Sequence, residues 1–125
     1  MSKTNKIIYW VATALLAIGM LQSGIFAVLR TKQWVDLVTP LGYPVYFLTI
    51  LGTWKILGVI AILIPRFKLL KEWAYAGFFF AMTGALISHL ACGDGLKEII
   101  GPFMQTVFII LSWYFRPASR RIVLN

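Results

Sequence analysis

Four long apolar runs, separated by short polar and basic stretches, set the plan of this chain. The first is "IIYWVATALLAIGMLQSGIFAVL", Ile7 to Leu29. The others run from Val45 to Ile64, Trp73 to Ala91 and Ile99 to Phe115. Each approaches the ~20 residues a helix needs to cross the hydrocarbon core of a bilayer. The pattern predicts four transmembrane helices: TM1 over about 7–29, TM2 over about 45–64, TM3 over about 73–91 and TM4 over about 99–115. The first run is too long for a signal-peptide core and no cleavage site comes after it, so it reads as a retained span.

The connections carry their own signals. "RTKQWVDLVTPLGYP" mixes two prolines with aromatics at interfacial positions, Trp34 and Tyr43, and predicts a short surface helix from about Thr31 to Val38. "PRFKLLKE" reads as a tight basic loop. Glu72 then falls in the first turn of TM3, where a carboxylate suits the helix dipole. "CGDGLKE" is a short turn, and Pro102 fits the first turn of TM4.

Composition agrees with lipid as the solvent. Hydrophobic residues make up 60% of the 125 and charged ones 13%, against under half and about a quarter in soluble domains. Residues 1–125 therefore read as a single integral membrane domain. The fold class is an all-α membrane protein, a four-transmembrane-helix bundle. The net charge of +8 would suggest nucleic acid in a soluble protein. Here the cations flank the apolar runs instead of forming a stripe with interleaved aromatics, so no nucleic-acid surface is indicated. Lys3, Lys6, Arg66, Lys68, Lys71, Arg116, Arg120 and Arg121 fall on one side of the predicted topology, and Arg30, Lys32 and Lys97 on the other. The positive-inside rule then places both termini in the cytoplasm. Cys92 is the only cysteine, which excludes an internal disulfide, and it reads as an inert small residue.

The remaining cation, Lys55, lies within TM2 in "LGTWKILGVIAILIP". At ~1.5 Å of rise per residue it sits roughly 15 Å from either surface. A lysine reaches about 6 Å, so snorkelling does not free it, and it should face the bundle. A charge at this depth costs about 2.5–3.5 kcal/mol on insertion scales and marks a functional candidate. Gln22 and Ser23 in TM1, Ser88 and His89 in TM3, and Gln105 and Thr106 in TM4 all fall in the outer half of their spans. The pattern predicts an outward-facing polar pocket with Lys55 at its floor and Lys55, His89, Gln22, Ser88 and Gln105 as ligand-binding candidates. No carboxylate lies within a span, so the partners open to Lys55 are Asp94 or Asp36 dipping in from a loop, Gln or Ser side chains, backbone carbonyls, water, or an acidic or carbonyl-bearing ligand, and burial also favours a neutral amine; Asp94 joins the ligand-binding candidates. Polar residues also act as glue between spans, which is the competing reading for the Gln, Ser and Thr side chains. The lone histidine forms no haem or zinc set, and no flavin motif or other metal cluster is evident.

Small residues recur at Gly19, Ser23 and Ala27 in TM1, at Gly77, Ala81 and Ala85 in TM3, and at Gly52 and Gly58 around Lys55. Such stripes allow close backbone approach, either within the chain or in a homo-oligomer.

"LGYPVYFLTILGTWKILGVIAILIP", "LKEWAYAGFFFAMTGALISHLACGD" and "SWYFRP" together resemble the DoxX-like family of small bacterial membrane proteins. The most specific parts are the G-x-x-K-x-x-G core at Gly52, Lys55 and Gly58, the K-E-W-A-Y-A-G opening of TM3, and the pair Ser88–His89. TM1 shares only hydropathy. The resemblance implies a four-span bundle in the bacterial inner membrane and a link to quinone oxidoreductases, with quinone as candidate cofactor and a membrane or redox protein as candidate partner. Lys55 or His89 would then hydrogen-bond a quinone or lipid-like ligand. A small transporter for an anionic or neutral solute, and a structural or assembly subunit, are the competing functions. A buried positive charge disfavours cationic drugs as cargo.

Overall fold

The computed structural model of the protein describes residues 2–117 and Arg120. It contains α1 (Lys3–Val28), α2 (Lys32–Val38), a 3-10 turn (Thr39–Leu41), α3 (Tyr46–Leu63), α4 (Lys68–Ala91) and α5 (Leu96–Tyr114). The four helices α1, α3, α4 and α5 are long and apolar enough to cross a membrane. Short connections make successive long helices antiparallel neighbours. α1 packs against α3 and α5, and α4 packs against the same two, so α1 and α4 lie on a diagonal.

Local chemistry sets the helix ends. Ser2 Oγ accepts the Asn5 N–H at 3.1 Å and caps α1. α4 closes with Gly93 at φ +72 and the Asp94 N–H donating to the His89 carbonyl at 2.9 Å. That is the left-handed closure in which glycine avoids a Cβ penalty.

The main core joins Leu16 and Met20 of α1, Val59 and Ile62 of α3, Tyr75, Phe78 and Met82 of α4, and Ile109 of α5. A smaller cluster of Ala27, Val38 and Leu48 seats α2 on the bundle end away from the termini, with Trp34 and Tyr43 packed on it. We call this the loop end and the opposite one the terminal end. The predicted surface helix is thus present as α2, but its Trp34 is turned into the protein.

α1 and α3 make the closest contact. A Cβ on Gly52 would stand 2.5 Å from the Gly24 carbonyl oxygen and 2.7 Å from Val28 Cγ2. Only hydrogen fits there. Among the small-residue stripes, Gly19 meets the Gln105 side chain of α5, whereas Gly77 of α4 faces open space.

The terminal end departs from expectation. α4 begins at Lys68 and not at Trp73, so the loop is shorter than "PRFKLLKE" suggests. Glu72 consequently leaves the first turn: it accepts from Arg116 Nε at 2.8 Å and Trp113 Nε1 at 3.1 Å, joining α4 to α5. Lys71 is buried, with its ammonium donating to the carbonyls of Ala61, at 2.7 Å, and Ile64. Arg120 adds bonds to the carbonyls of Ile62, at 3.0 Å, and Leu63, at 3.1 Å. Two cations thereby satisfy the orphan carbonyls that end α3. Arg121, counted among the basic residues of this side, lies outside the described residues. α5 begins at Leu96, which puts Pro102 inside the helix and not in its first turn. Without an N–H, Pro102 leaves the Glu98 carbonyl without its helical donor.

Candidate functional site

Lys55 lies midway along α3 and is 4% exposed. Its ammonium donates to Ser23 Oγ of α1 at 3.2 Å. The Ser23 hydroxyl in turn donates to the Met20 carbonyl at 3.2 Å, so one hydroxyl both accepts and donates. The indole ring of Trp34 covers the ammonium, with its centroid 4.8 Å from Nζ. A cation over an indole face is worth about 0.5–2 kcal/mol. An ammonium carries three N–H donors. Among the described residues, Lys55 uses one of them for a hydrogen bond. Asp36 is exposed and Asp94 is engaged elsewhere, so neither loop carboxylate pairs with Lys55.

The other candidates separate into contacts of differing kind. His89 is buried, and its Nδ1 donates to Asp94 Oδ2 at 2.6 Å. The contact fastens the end of α4 to its following turn. Ser88 shares a 2.7 Å hydrogen bond with Tyr43 OH, which ties the segment after α2 to α4, and Tyr43 stacks on Phe47 at 4.8 Å. Gln105 presses onto Gly19, one helical turn from Ser23, and its Oε1 is buried without a partner among the described residues. Gln22 is exposed on α1 and stands apart from this group. Thr106 bonds back to the Pro102 carbonyl at 2.8 Å within its own helix. Cys92 is free and exposed.

A second buried polar group lies toward the terminal end. Ser112 Oγ sits 2.6 Å from Thr13 Oγ1 and 2.7 Å from Tyr75 OH, joining α5, α1 and α4. Polar side chains therefore occupy both halves of the bundle, not the outer half alone. Sequence gives little sign of this group, because Thr13 and Ser112 each stand singly in an apolar run. Tyr75 is masked in the same way by its aromatic neighbours.

The sequence model of the DoxX-like family matches residues 11–115. The chain belongs to the DoxX-like family. The match extends into α1, beyond the α3–α5 region that carries the motif resemblance. No curated protein and no solved structure matches the chain. With four apolar helices, this DoxX-like protein is a multi-pass integral membrane protein in contact with the lipid bilayer.

The residues that carry the resemblance each have a physical task. In G-x-x-K-x-x-G, Gly52 permits the α1–α3 crossing, and Gly58 lies so close beneath Phe78 that a Cβ there would stand 2.5 Å from the ring. Lys55 lies between the two. In K-E-W-A-Y-A-G, Lys71 caps α3, Glu72 holds α5 and Tyr75 joins the buried hydroxyl group. In "SWYFRP", Ser112 centres that hydroxyl group while Trp113 and Arg116 engage Glu72.

Proposed function

We propose that this DoxX-like protein binds the carbonyl or anionic end of a lipid-like ligand, a quinone being the leading case, at Lys55. It would act as a redox-associated membrane subunit of the bacterial inner membrane, both termini in the cytoplasm. The observation that carries this reading is the buried Lys55 ammonium with, among the described residues, one side-chain hydrogen bond at 3.2 Å and no carboxylate partner. A buried charge that is not fully paired is costly, and an acceptor oxygen offered by a ligand would relieve that cost. The unpartnered Gln105 Oε1, near the α1 turn that holds Ser23, suits the same purpose by accepting a ligand hydroxyl.

In this reading Ser23 orients the ammonium and Trp34 excludes water from above it. Lys55 holds the ligand oxygen and stabilises negative charge on it, an interaction strengthened by low dielectric surroundings. A bound quinone would supply the electron-accepting chemistry, and a partner protein the electrons. His89 lies on the helix that also carries Ser88 and holds Asp94 of the following turn at the loop end.

Protein purified in mild detergent should carry a quinone or lipid detectable by native mass spectrometry. Lys55→Met should lose that molecule while keeping its helicity. Retention of the same molecule by the variant would overturn the proposal. The Gly24–Gly52 crossing one turn from Lys55 favours a second reading, in which the lysine fixes helix register. A variant that loses only stability or assembly, from a wild type that carries no ligand, would establish that alternative.

A further inference from the structure

A second feature lies on the opposite face of the bundle, toward the terminal end. α4 and α5 are the least covered spans, with 22% and 11% of their apolar windows buried, against 39% in α1. Between them runs an open groove of about 330 Å³, walled by Glu72, Ala76 and Phe80 on α4 and by Ile110 and Trp113 on α5, with Tyr75 at its side. The wall is apolar except at one end. There Glu72 is already matched by Arg116 and by the Trp113 indole N–H.

Helical spacing determines the chemistry beyond the groove. Glu72, Ala76 and Phe80 recur every four residues, and one more step toward the terminal end reaches Lys68. Arg116 follows the end of α5 and is held by Glu72 and the Trp113 carbonyl. Arg66 stands just before Lys68, and both are exposed. The groove therefore opens toward the exposed cations Lys68 and Arg66, while Glu72 and Arg116 are spent on each other. An apolar channel along two spans, a tryptophan at its mouth and two exposed cations beyond it, neither ion-paired among the described residues, fit one kind of molecule. Acyl chains require the first feature, the membrane interface the second, and a phosphate the third.

We propose that the α4–α5 groove is a binding site for an anionic phospholipid, one acyl chain lying along Phe80 and Ile110 and the phosphate meeting Lys68 and Arg66. The site is independent of Lys55 and of whatever binds there.

The test uses full-length protein in mild detergent, titrated with phosphatidylglycerol or phosphatidylcholine and read by native mass spectrometry. The wild type should retain a phosphatidylglycerol adduct in preference to phosphatidylcholine. The double variant Arg66→Gln/Lys68→Gln changes exposed side chains only, and should weaken phosphatidylglycerol retention by about fivefold per charge removed. Ala76→Trp, which fills the groove, should abolish retention of both lipids. Lys55→Met should leave the adduct unchanged, which separates this site from the Lys55 ligand. Equal retention of the two lipids, an unaltered preference in the double variant, or a groove covered by a second copy of the chain would each overturn the proposal.

Discussion

Replacing Gly52 by alanine tests the packing on which the Lys55 site depends. In an ordinary helix interior a glycine-to-alanine change stabilises by about 0.5–1 kcal/mol, because alanine loses less backbone entropy. At Gly52 the new methyl would lie 2.5 Å from the Gly24 carbonyl oxygen and 2.9 Å from the Val28 backbone nitrogen. Both are backbone atoms of a neighbouring helix, so no rotamer change can relieve the overlap. α1 and α3 must separate, and overpacking of this kind costs about 1–3 kcal/mol. The expected net result is a loss of roughly 0–2.5 kcal/mol after the helical gain, where an unhindered site would gain. Gly77 supplies the control, since nothing lies within 4 Å of its Cβ position. Gly77→Ala should therefore be neutral or stabilising. Gly58→Ala falls between them, because the 2.5 Å contact is to the Phe78 ring, which can turn aside. Reversible unfolding in mixed micelles, followed by far-ultraviolet circular dichroism, would rank the three. Separation of α1 from α3 should also pull Ser23 from Lys55 and weaken ligand retention in Gly52→Ala. Equal stability of Gly52→Ala and Gly77→Ala would refute the close α1–α3 approach.

Other perturbations act through single contacts. Ser112→Ala removes the shared partner of Thr13 and Tyr75 and should cost about 1–2 kcal/mol by the same unfolding assay; a neutral effect would show that the three hydroxyls do not act together. Lys71→Met leaves the Ala61 carbonyl without its donor and removes one of two donors from the Ile64 carbonyl, and should destabilise the protein by about 1–3 kcal/mol, whereas Lys68→Met, at an exposed position, should have little effect. Tyr43→Phe breaks the bond to Ser88 and should speed hydrogen exchange in α2, with unchanged exchange counting against the tie. A reporter active only outside the cytoplasm, fused at the C-terminus, should stay silent if the charge asymmetry sets the orientation.

The four spans are legible in the sequence because hydropathy and length alone decide them, and α2 because its aromatics and prolines interrupt that pattern. The depth of Lys55 comes from counting residues along a helix. Rotation about each helix axis is not legible. α3 is apolar on nearly every side, so nothing in the sequence says that Lys55 turns toward Ser23 and Trp34. Gln22 and Ser23 are adjacent and both polar, yet one is exposed and the other bonds Lys55. Lys71 reads as part of a basic loop because a lysine at a span's end usually snorkels to water. Its burial depends on the ending of α3 being presented to it, a tertiary fact.

The carbonyls that close α3 also impose an order on assembly. Lys71 is synthesised soon after α3, but Arg120 emerges only when α5 has been made. During biogenesis the Ile62 and Leu63 carbonyls therefore await a donor that is synthesised after α5. The terminal end is locked late, and Arg120 acts as a fastener that reports completion of the bundle.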